Sequence, residues 1–199
     1  METPRAWKKN LEDGILTLEM VEACLYSINK RAKNYRDLAR NYRHSGVPRI
    51  YVQNYIDSAE ENEIELYKMK DLLLKTLFSP SCIHKQTHPR YDEYGDVYGV
   101  DEYFLFYELP NCTFHLPIDE LDLEEWEAKG VKLEKEVELK TEGENPVRLV
   151  SRQFCKKVVE LVKSGNYKFI KKEFPLEERR KMYIVQLDED TDNKEEIKK

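Results

Sequence analysis

The feature that most constrains this chain is a long apolar stripe near its N-terminus. Residues recur at alternating intervals of three and four at Leu18, Val21, Leu25, Ile28, Ala32, Tyr35, Ala39 and Tyr42. This spacing places one apolar side chain on the same side of an α-helix at nearly every turn. Thr17 is a suitable N-cap, and Gly46 followed by Pro48 is a stop signal. We therefore predict one long helix, whose narrow stripe needs a partner helix to cover it.

The following segment supplies that partner. It contains no glycine or proline between Pro48 and Phe78, and its apolar residues recur at helical intervals at Val52, Ile56, Ala59, Leu66, Leu73 and Leu77. Glu63 and Lys70 interrupt this second stripe. Because the link His44–Pro48 is short, the two helices must run antiparallel. The sequence predicts a helical hairpin over residues 17–79, after a lead-in of residues 1–16.

Strand patterns begin after Pro80. Strands are predicted at residues 82–88, 102–108 and 112–116, the last two joined as a hairpin by a tight turn at 109–111, with Pro117 ending the pairing. Asp122 and Glu125 resemble a capping box for a short helix around Trp126 that Gly130 closes. Residues 131–139 then read as one more strand.

The C-terminal third of the chain contains one helical pattern followed by two strand-like segments. Asn145-Pro146 predicts the opening of a helix that ends at Gly165, with an apolar face of Val150, Phe154, Val158, Leu161 and Val162. Residues 167–174 and 182–187 have strand-like content, and residues 188–199 form a charged tail. The predicted fold is α+β: a long antiparallel helical hairpin attached to a small, mainly antiparallel sheet with one or two covering helices, the sheet domain spanning residues 80–187.

Charge is segregated along the chain, whose formal net charge is −6. The formal net charge is +4 for residues 1–50, −13 for residues 51–150 and +3 for residues 151–199. A basic stripe on the first helix at Lys33, Arg36, Arg40 and Arg43 lies opposite acids of the second at Asp57, Glu60, Glu61 and Glu63. Ion pairs between the helices would cancel the positive field that nucleic acid needs, so we do not expect nucleic-acid binding.

The most unusual stretch runs from Tyr91 to Ala128. It holds twelve acids and no lysine or arginine, with tyrosines interleaved. One interpretation is a solvated acidic loop beside a buried aromatic hairpin. The other is a docking surface for a basic protein, because tyrosine supplies contact area at low entropic cost and carboxylates steer positive surfaces. The candidate partner-binding residues are Tyr91, Asp92, Glu93, Tyr94, Asp96, Tyr98, Tyr103 and Tyr107.

Strand alternation separates the aromatic residues of the predicted hairpin. Tyr103, Leu105 and Tyr107 share one face, and Phe104 and Phe106 share the other. Because phenylalanine has no polar tip, we expect the phenylalanine face to be the core and the tyrosine face to be exposed.

Metal and catalytic chemistry have weaker signals. The metal candidates are Cys82, His84, His88, Cys112 and His115, of which the first three would project from one face of a strand. Their spacings are not standard for zinc, and ordinary strand and turn residues are the preferred explanation. Asp92, Glu93 and Asp96 could hold a hard cation, but no calcium-loop motif accompanies them. We expect no cofactor and no enzymatic activity, since no nucleotide-binding, hydrolase or deaminase motif occurs.

Compartment and membrane signals point to a cytoplasmic protein. The N-terminus lacks the apolar run and cleavage site of a secretory signal, and no stretch of eighteen apolar residues occurs. The four cysteines (Cys24, Cys82, Cys112 and Cys155) are far apart, and Cys24 and Cys155 fall in helical patterns as small apolar residues.

Two segments resemble small acidic, uncharacterised proteins encoded by phages and prophages of Gram-positive bacteria. They are CIHKQTHPRYDEYGDVYGVDEYFLFYELPNCTFHLPID at residues 82–119 and SRQFCKKVVELVKSGNY at residues 151–167. The resemblance implies that the protein is encoded by a phage. Small acidic phage proteins often act by binding host proteins, including defence nucleases. The leading hypothesis is thus a non-enzymatic protein-binding module, with self-association through the helical hairpin as a further expectation. The alternative is a metal-dependent nucleic-acid-processing enzyme.

Overall fold

The computed structural model describes residues 3–91, 94, 97–137, 147 and 149–171. The chain divides into two compact units, one of residues 1–77 together with 147–199 and one of residues 78–146. The sequence-based division placed residues 147–187 with the sheet, whereas contacts group those from Val147 onward with the long helices. Residues 182–187 and the tail 188–199 lie outside the described residues. Within the described part of the chain, no helix is long and apolar enough to cross a bilayer.

The first unit is mainly helical. Its elements are α1 (Thr3–Glu12), β1 (Ile15–Thr17), α2 (Leu18–Arg43), α3 (Arg49–Leu77), α5 (Arg152–Ser164) and β6 (Lys168–Ile170). The second unit contains β2 (Cys82–Tyr91), β3 (Val97–Glu108), β4 (Thr113–Ile118), a 3₁₀ turn (Glu120–Asp122), α4 (Leu123–Ala128) and β5 (Leu133–Glu134). The predicted α+β class, with its long helical hairpin, is confirmed.

The hairpin forms for the reasons that its sequence predicts. The Thr17 hydroxyl accepts a hydrogen bond from the backbone N–H of Met20 at 3.3 Å and caps α2. Gly46 adopts a positive φ of 73° in the turn that follows. Six members of the first stripe are buried, Tyr35 and Tyr42 are half-buried, and all six apolar residues predicted for α3 are buried. Burial of these two facing stripes is what holds the helices together.

Ion pairs between the helices reflect the antiparallel register of the hairpin. Arg36 Nε lies 2.8 Å from Glu63 Oε1, and Arg43 pairs with Glu60 closer to the turn. The more C-terminal arginine of α2 therefore pairs with the more N-terminal glutamate of α3, as in an antiparallel pair. These are the cross-helix pairs that the opposing charges predict, and as exposed pairs each contributes less than about 1 kcal/mol.

Residues 1–16, expected as a lead-in, contain α1 and most of β1. Trp7 of α1 and Leu16 of β1 are both buried. Strand β1 pairs in parallel with β6, with Leu16 opposite Phe169. The N-terminal residues thus contribute to the core of the first unit. Of the predicted strand 167–174, only Lys168–Ile170 is a strand within the described residues.

Helix α5 begins later than its sequence predicts. The predicted opening Asn145-Pro146 lies outside the described residues, and the observed N-cap is Ser151, whose hydroxyl accepts from Phe154 N at 3.2 Å. Val150 precedes the helix because α2 holds its backbone: its N–H donates to Ser27 Oγ at 2.8 Å, and its carbonyl accepts from Arg31 at 2.8 Å. The predicted stop is confirmed, since Gly165 has a left-handed φ of 70° at the C-cap.

The sheet of the second unit has the strand order β4-β3-β2-β5. The three long strands are antiparallel, and β5 joins β2 in parallel at Ile83 and His84. The prediction that Pro117 ends the pairing is wrong, because Pro117 lies opposite Phe104 and the ladder continues to Ile118. Strand β4 is an edge strand, where a residue that points away from its neighbour tolerates the missing N–H of proline.

Two further local predictions need correction. Asp122 makes no side-chain cap, since the 3₁₀ turn already holds it in a helical conformation with φ −82° and ψ −11°. The short helix around Trp126 and its closure by Gly130, with φ 86°, are confirmed. The strand predicted over residues 131–139 is reduced to Leu133–Glu134, and Leu139 lies outside the described residues.

Candidate protein-binding surface

A two-stranded ribbon extends beyond the body of the sheet. Strands β2 and β3 pair from Cys82 opposite Phe106 to Tyr91 opposite Val97. The neighbouring strands cover only one end of this pair, because β4 reaches no further along β3 than Tyr103 and β5 contacts β2 only at Ile83 and His84. We call the remainder, residues 85–91 and 97–102, the ribbon.

The far end of the ribbon carries exposed aromatic residues. Tyr91 is 70% exposed, Tyr94 83% and Tyr98 51%, and Val97 between them is 62% exposed. These three tyrosines belong to the predicted partner-binding residues. Three predicted acids of that group, Asp92, Glu93 and Asp96, lie outside the described residues. The structure therefore places exposed tyrosines at the end where the acidic segment joins the two strands, with Tyr91 and Tyr98 on opposite faces of the ribbon.

Tyr107 does not belong to this surface. It is fully buried together with Leu105 on the same face of β3; on the other face Phe106 is buried, as predicted, and Phe104 is half-buried. The prediction that the tyrosine face is exposed is wrong for Tyr107. The reason is its register: Tyr107 lies opposite Phe114 and Leu105 opposite Leu116, so β4 contributes large apolar side chains to that face. Tyr103 is half-buried, with the Lys85 ammonium 5.8 Å from its ring centroid.

The acids of the ribbon are engaged with its basic residues. Asp101 pairs with Lys85 at 2.6 Å and accepts a hydrogen bond from the Thr87 hydroxyl at 2.7 Å. The hydrogen bonds from Lys85 and then Thr87 lower the pKa of Asp101. Glu102 lies 3.5 Å from His88 Nε2 and 3.9 Å from Arg90. Beyond β4, exposed carboxylates continue at Asp119, Glu120, Asp122 and Glu124.

The metal candidates are spread over the second unit. Cys82, His84 and His88 share one face of β2, as alternation predicts, and His115 lies on the same face of the sheet opposite Phe106. The His84 and His115 rings are 5.6 Å apart and pack with Phe104 and Phe106. His88 contacts Glu102 further along the ribbon. Cys112 is half-buried in the turn before β4.

Burial and a nearby carboxylate affect the thiol of Cys82. Burial, and next the nearby Glu134, raises the pKa of Cys82 to about 11, which keeps the thiol protonated at neutral pH. Among the described residues, no three or more His, Cys, Asp or Glu side chains are placed to hold a metal ion. The proposed cation ligands Asp92, Glu93 and Asp96 lie outside that part of the chain.

The first unit contains two sites with shifted pKa values that no sequence motif indicates. Cys24 of α2 and Cys155 of α5 are buried against each other, each sulfur 3.9 Å from the other residue's carbonyl oxygen. Burial raises the pKa of Cys24, whereas the hydrogen bond from Cys24 lowers the pKa of Cys155. Lys70 is buried on α3, and its ammonium donates to Asn29 Oδ1 at 3.1 Å. Burial lowers the pKa of Lys70 to about 8.

The chain matches no protein-family model, no curated protein and no solved structure.

Proposed function

We propose that this chain is a protein-binding module that acts without catalysis and engages a partner with a basic surface through the exposed tyrosines at the far end of the ribbon. The observation that carries the proposal is the exposure of Tyr91, Tyr94 and Tyr98 at one end of the ribbon. Exposed tyrosines offer large, rigid and amphipathic contact areas, which is why they are frequent anchors of protein interfaces.

The net charge of the segment that begins at Tyr91 supports a basic partner, although Arg90 lies opposite Tyr98. No lysine or arginine occurs between Tyr91 and Ala128, and twelve acids do. Such a field raises the rate of encounter with a positive surface and disfavours acidic ones. The same field disfavours nucleic acid as a ligand of this unit.

The biological role that we propose is modulation or inhibition of a host protein, such as a defence protein, by a phage-encoded binder. It rests on the resemblance of residues 82–119 and 151–167 to phage and prophage proteins, and on the proposed binding surface. A stoichiometric metal in protein purified without chelator, together with nuclease activity, would instead favour the metal-dependent enzyme.

Affinity capture from the host cell, with the intact chain as bait, tests the proposal. A variant with Tyr91→Ala, Tyr94→Ala and Tyr98→Ala should retain its melting temperature and lose most of the captured partner, because each anchor tyrosine contributes on the order of 1–2 kcal/mol. The matched control is Tyr51→Ala, since Tyr51 is 73% exposed and lies in the other unit. If the triple variant captures the same protein as strongly as the control does, the ribbon is not the binding surface.

A further inference from the structure

The two long edges of the ribbon differ in the backbone groups that they present. Leu109 N donates to Cys112 O at the hairpin between β3 and β4, so the odd-numbered residues of β3 point their N–H and C=O groups towards β4. The two-residue repeat of a strand extends this direction along β3 to Val97, Gly99 and Asp101. These residues lie beyond the end of β4, and no strand of the described chain pairs with their outer edge.

The β2 edge of the ribbon is protected. Ile83 N donates to Lys132 O, so the odd-numbered residues of β2 point away from β3. Those residues include Pro89, which has no N–H to donate, and Lys85. Proline and lysine are the residues by which natural sheets prevent pairing at an edge. The β3 edge contains neither of them between Val97 and Asp101, and its central residue, Gly99, has no side chain.

Acidic residues lie where a strand added to the β3 edge would meet the end of β4. Ile118 is the last residue of β4 and lies opposite Tyr103. The chain then continues through Asp119 into the turn Glu120–Asp122, whose carboxylates are exposed. A strand placed in line with β4 along Val97–Asp101 would approach these carboxylates with one end and the tyrosines Tyr94 and Tyr98 with the other. Charge complementarity therefore favours a strand that carries lysine or arginine.

We propose that the partner binds by β-strand addition: an extended, basic segment pairs with the β3 edge at Val97, Gly99 and Asp101. This inference rests on the proposed function and specifies how the partner is held. Main-chain hydrogen bonds to the edge supply affinity, and the flanking carboxylates and tyrosines supply selectivity for basic and apolar side chains.

Amide hydrogen exchange measured by NMR on the intact chain tests the pairing directly. The probe is a synthetic peptide of about eight alternating lysine and valine residues, long enough for one strand. Its addition should slow exchange at the amides of Val97, Gly99 and Asp101 by about tenfold or more, since their N–H groups become hydrogen-bonded. The amides of Tyr98 and Val100 should change little, because they already point towards β2. A peptide of alternating glutamate and valine should have no effect.

Proline substitution tests the same edge without NMR. Val97→Pro removes an outward N–H and no existing ladder bond, so it should preserve the fold and weaken peptide binding at least tenfold. Val97→Thr retains the N–H and should bind like the wild type.

The outcomes separate the inference from the proposed function. If the basic peptide or the captured partner binds in a manner that depends on Tyr91, Tyr94 and Tyr98, but exchange at Val97, Gly99 and Asp101 is unchanged, strand addition is wrong and the tyrosine surface stands. Slowing in the absence of the peptide at higher protein concentration would identify a second copy as the occupant and would also overturn the inference. Loss of all dependence on the tyrosines would overturn the proposed function itself.

Discussion

Lys70 is the residue whose burial has the clearest thermodynamic consequence. It is 5% exposed on α3, and burial lowers its pKa from 10.5 to about 8. Below pH 8 both folded and unfolded chains hold the proton, and the folded state bears the full cost of a buried ammonium. Between pH 8 and 10.5 the unfolded chain binds more protons than the folded one, so stability rises with pH.

We predict that replacing this lysine removes that pH dependence. The free energy of unfolding of Lys70→Met should exceed that of the wild type at pH 7, and the difference should shrink by roughly 3 kcal/mol by pH 10.5. Urea titrations across this range measure it. Lys68→Met, at an exposed position of the same helix, should give a constant difference from the wild type. A pH-independent difference for Lys70→Met would mean that the ammonium is well solvated.

The aromatic residues of β3 give a second prediction at this scale. Tyr107 is fully buried and Phe104 half-buried. Tyr107→Ala should therefore cost about 3–5 kcal/mol of stability, as truncations of buried aromatic residues do, and Phe104→Ala less than half as much. Tyr98→Ala should melt like the wild type. Thermal melts that rank Phe104→Ala as the more damaging variant would contradict this order of burial.

Alternation correctly predicted a buried Phe106 but not a buried Tyr107, because it cannot show that both faces of a strand are covered. Alternation correctly separates Leu105 and Tyr107 from Phe104 and Phe106. It does not say how many large apolar side chains the neighbouring strand adds to each face. That depends on the register, which sets Phe114 opposite Tyr107 and Leu116 opposite Leu105.

At the scale of elements, the helical hairpin depends on its buried stripe. Leu25 and Ile28 are fully buried between helices. Leu25→Asp or Ile28→Asp should unfold the first unit, since an unpaired buried carboxylate costs several kcal/mol. Leu38→Asp is the matched control, because Leu38 on the same helix is 38% exposed. Circular dichroism at 222 nm follows the loss of helix. Full helicity in the Leu25 variant would show that the stripe is not a core.

Self-association through the hairpin stays a prediction, and burial of the stripe changes which residues it can use. The large apolar side chains that remain exposed near the hairpin turn are Val47, Ile50, Tyr51 and Tyr55. Ile50 is 82% exposed, so Ile50→Asp should leave the fold intact and dissociate any dimer formed there. Sedimentation velocity compares it with the wild type. An oligomer that survives this substitution must use another surface.

Elements encoded by local signals were predictable, and those fixed by distant contacts were not. The Thr17 and Gly165 caps act within a few residues of themselves, so the sequence identifies them. The start of α5 depends on Ser27 and Arg31, which hold Val150 from more than a hundred residues away. The parallel pair of β1 and β6 involves three residues on each side, too few for a periodic pattern.

At the scale of the whole molecule, the separation of charge determines what a partner meets. Residues 51–150 have a formal net charge of −13, within a chain whose net charge is −6. The exposed tyrosines Tyr91, Tyr94 and Tyr98 were among those predicted from the sequence, because a tyrosine-rich acidic stretch is visible as composition, whereas the burial of Tyr107 is not. The open edge of β3 could not, since it exists only where β4 ends and the ribbon continues.

This charge separation predicts salt-dependent association with the captured partner. Raising the ionic strength from about 50 to 500 mM should slow association by tenfold or more and change dissociation much less, because long-range attraction is screened while short-range contacts remain. Stopped-flow or surface-plasmon measurements give both rates. The variant Asp92→Asn, Glu93→Gln and Asp96→Asn should associate slowly at low salt without a change in melting temperature. Association that is independent of salt would mean that contact area at the tyrosines and the β3 edge, and not the acidic field, selects the partner.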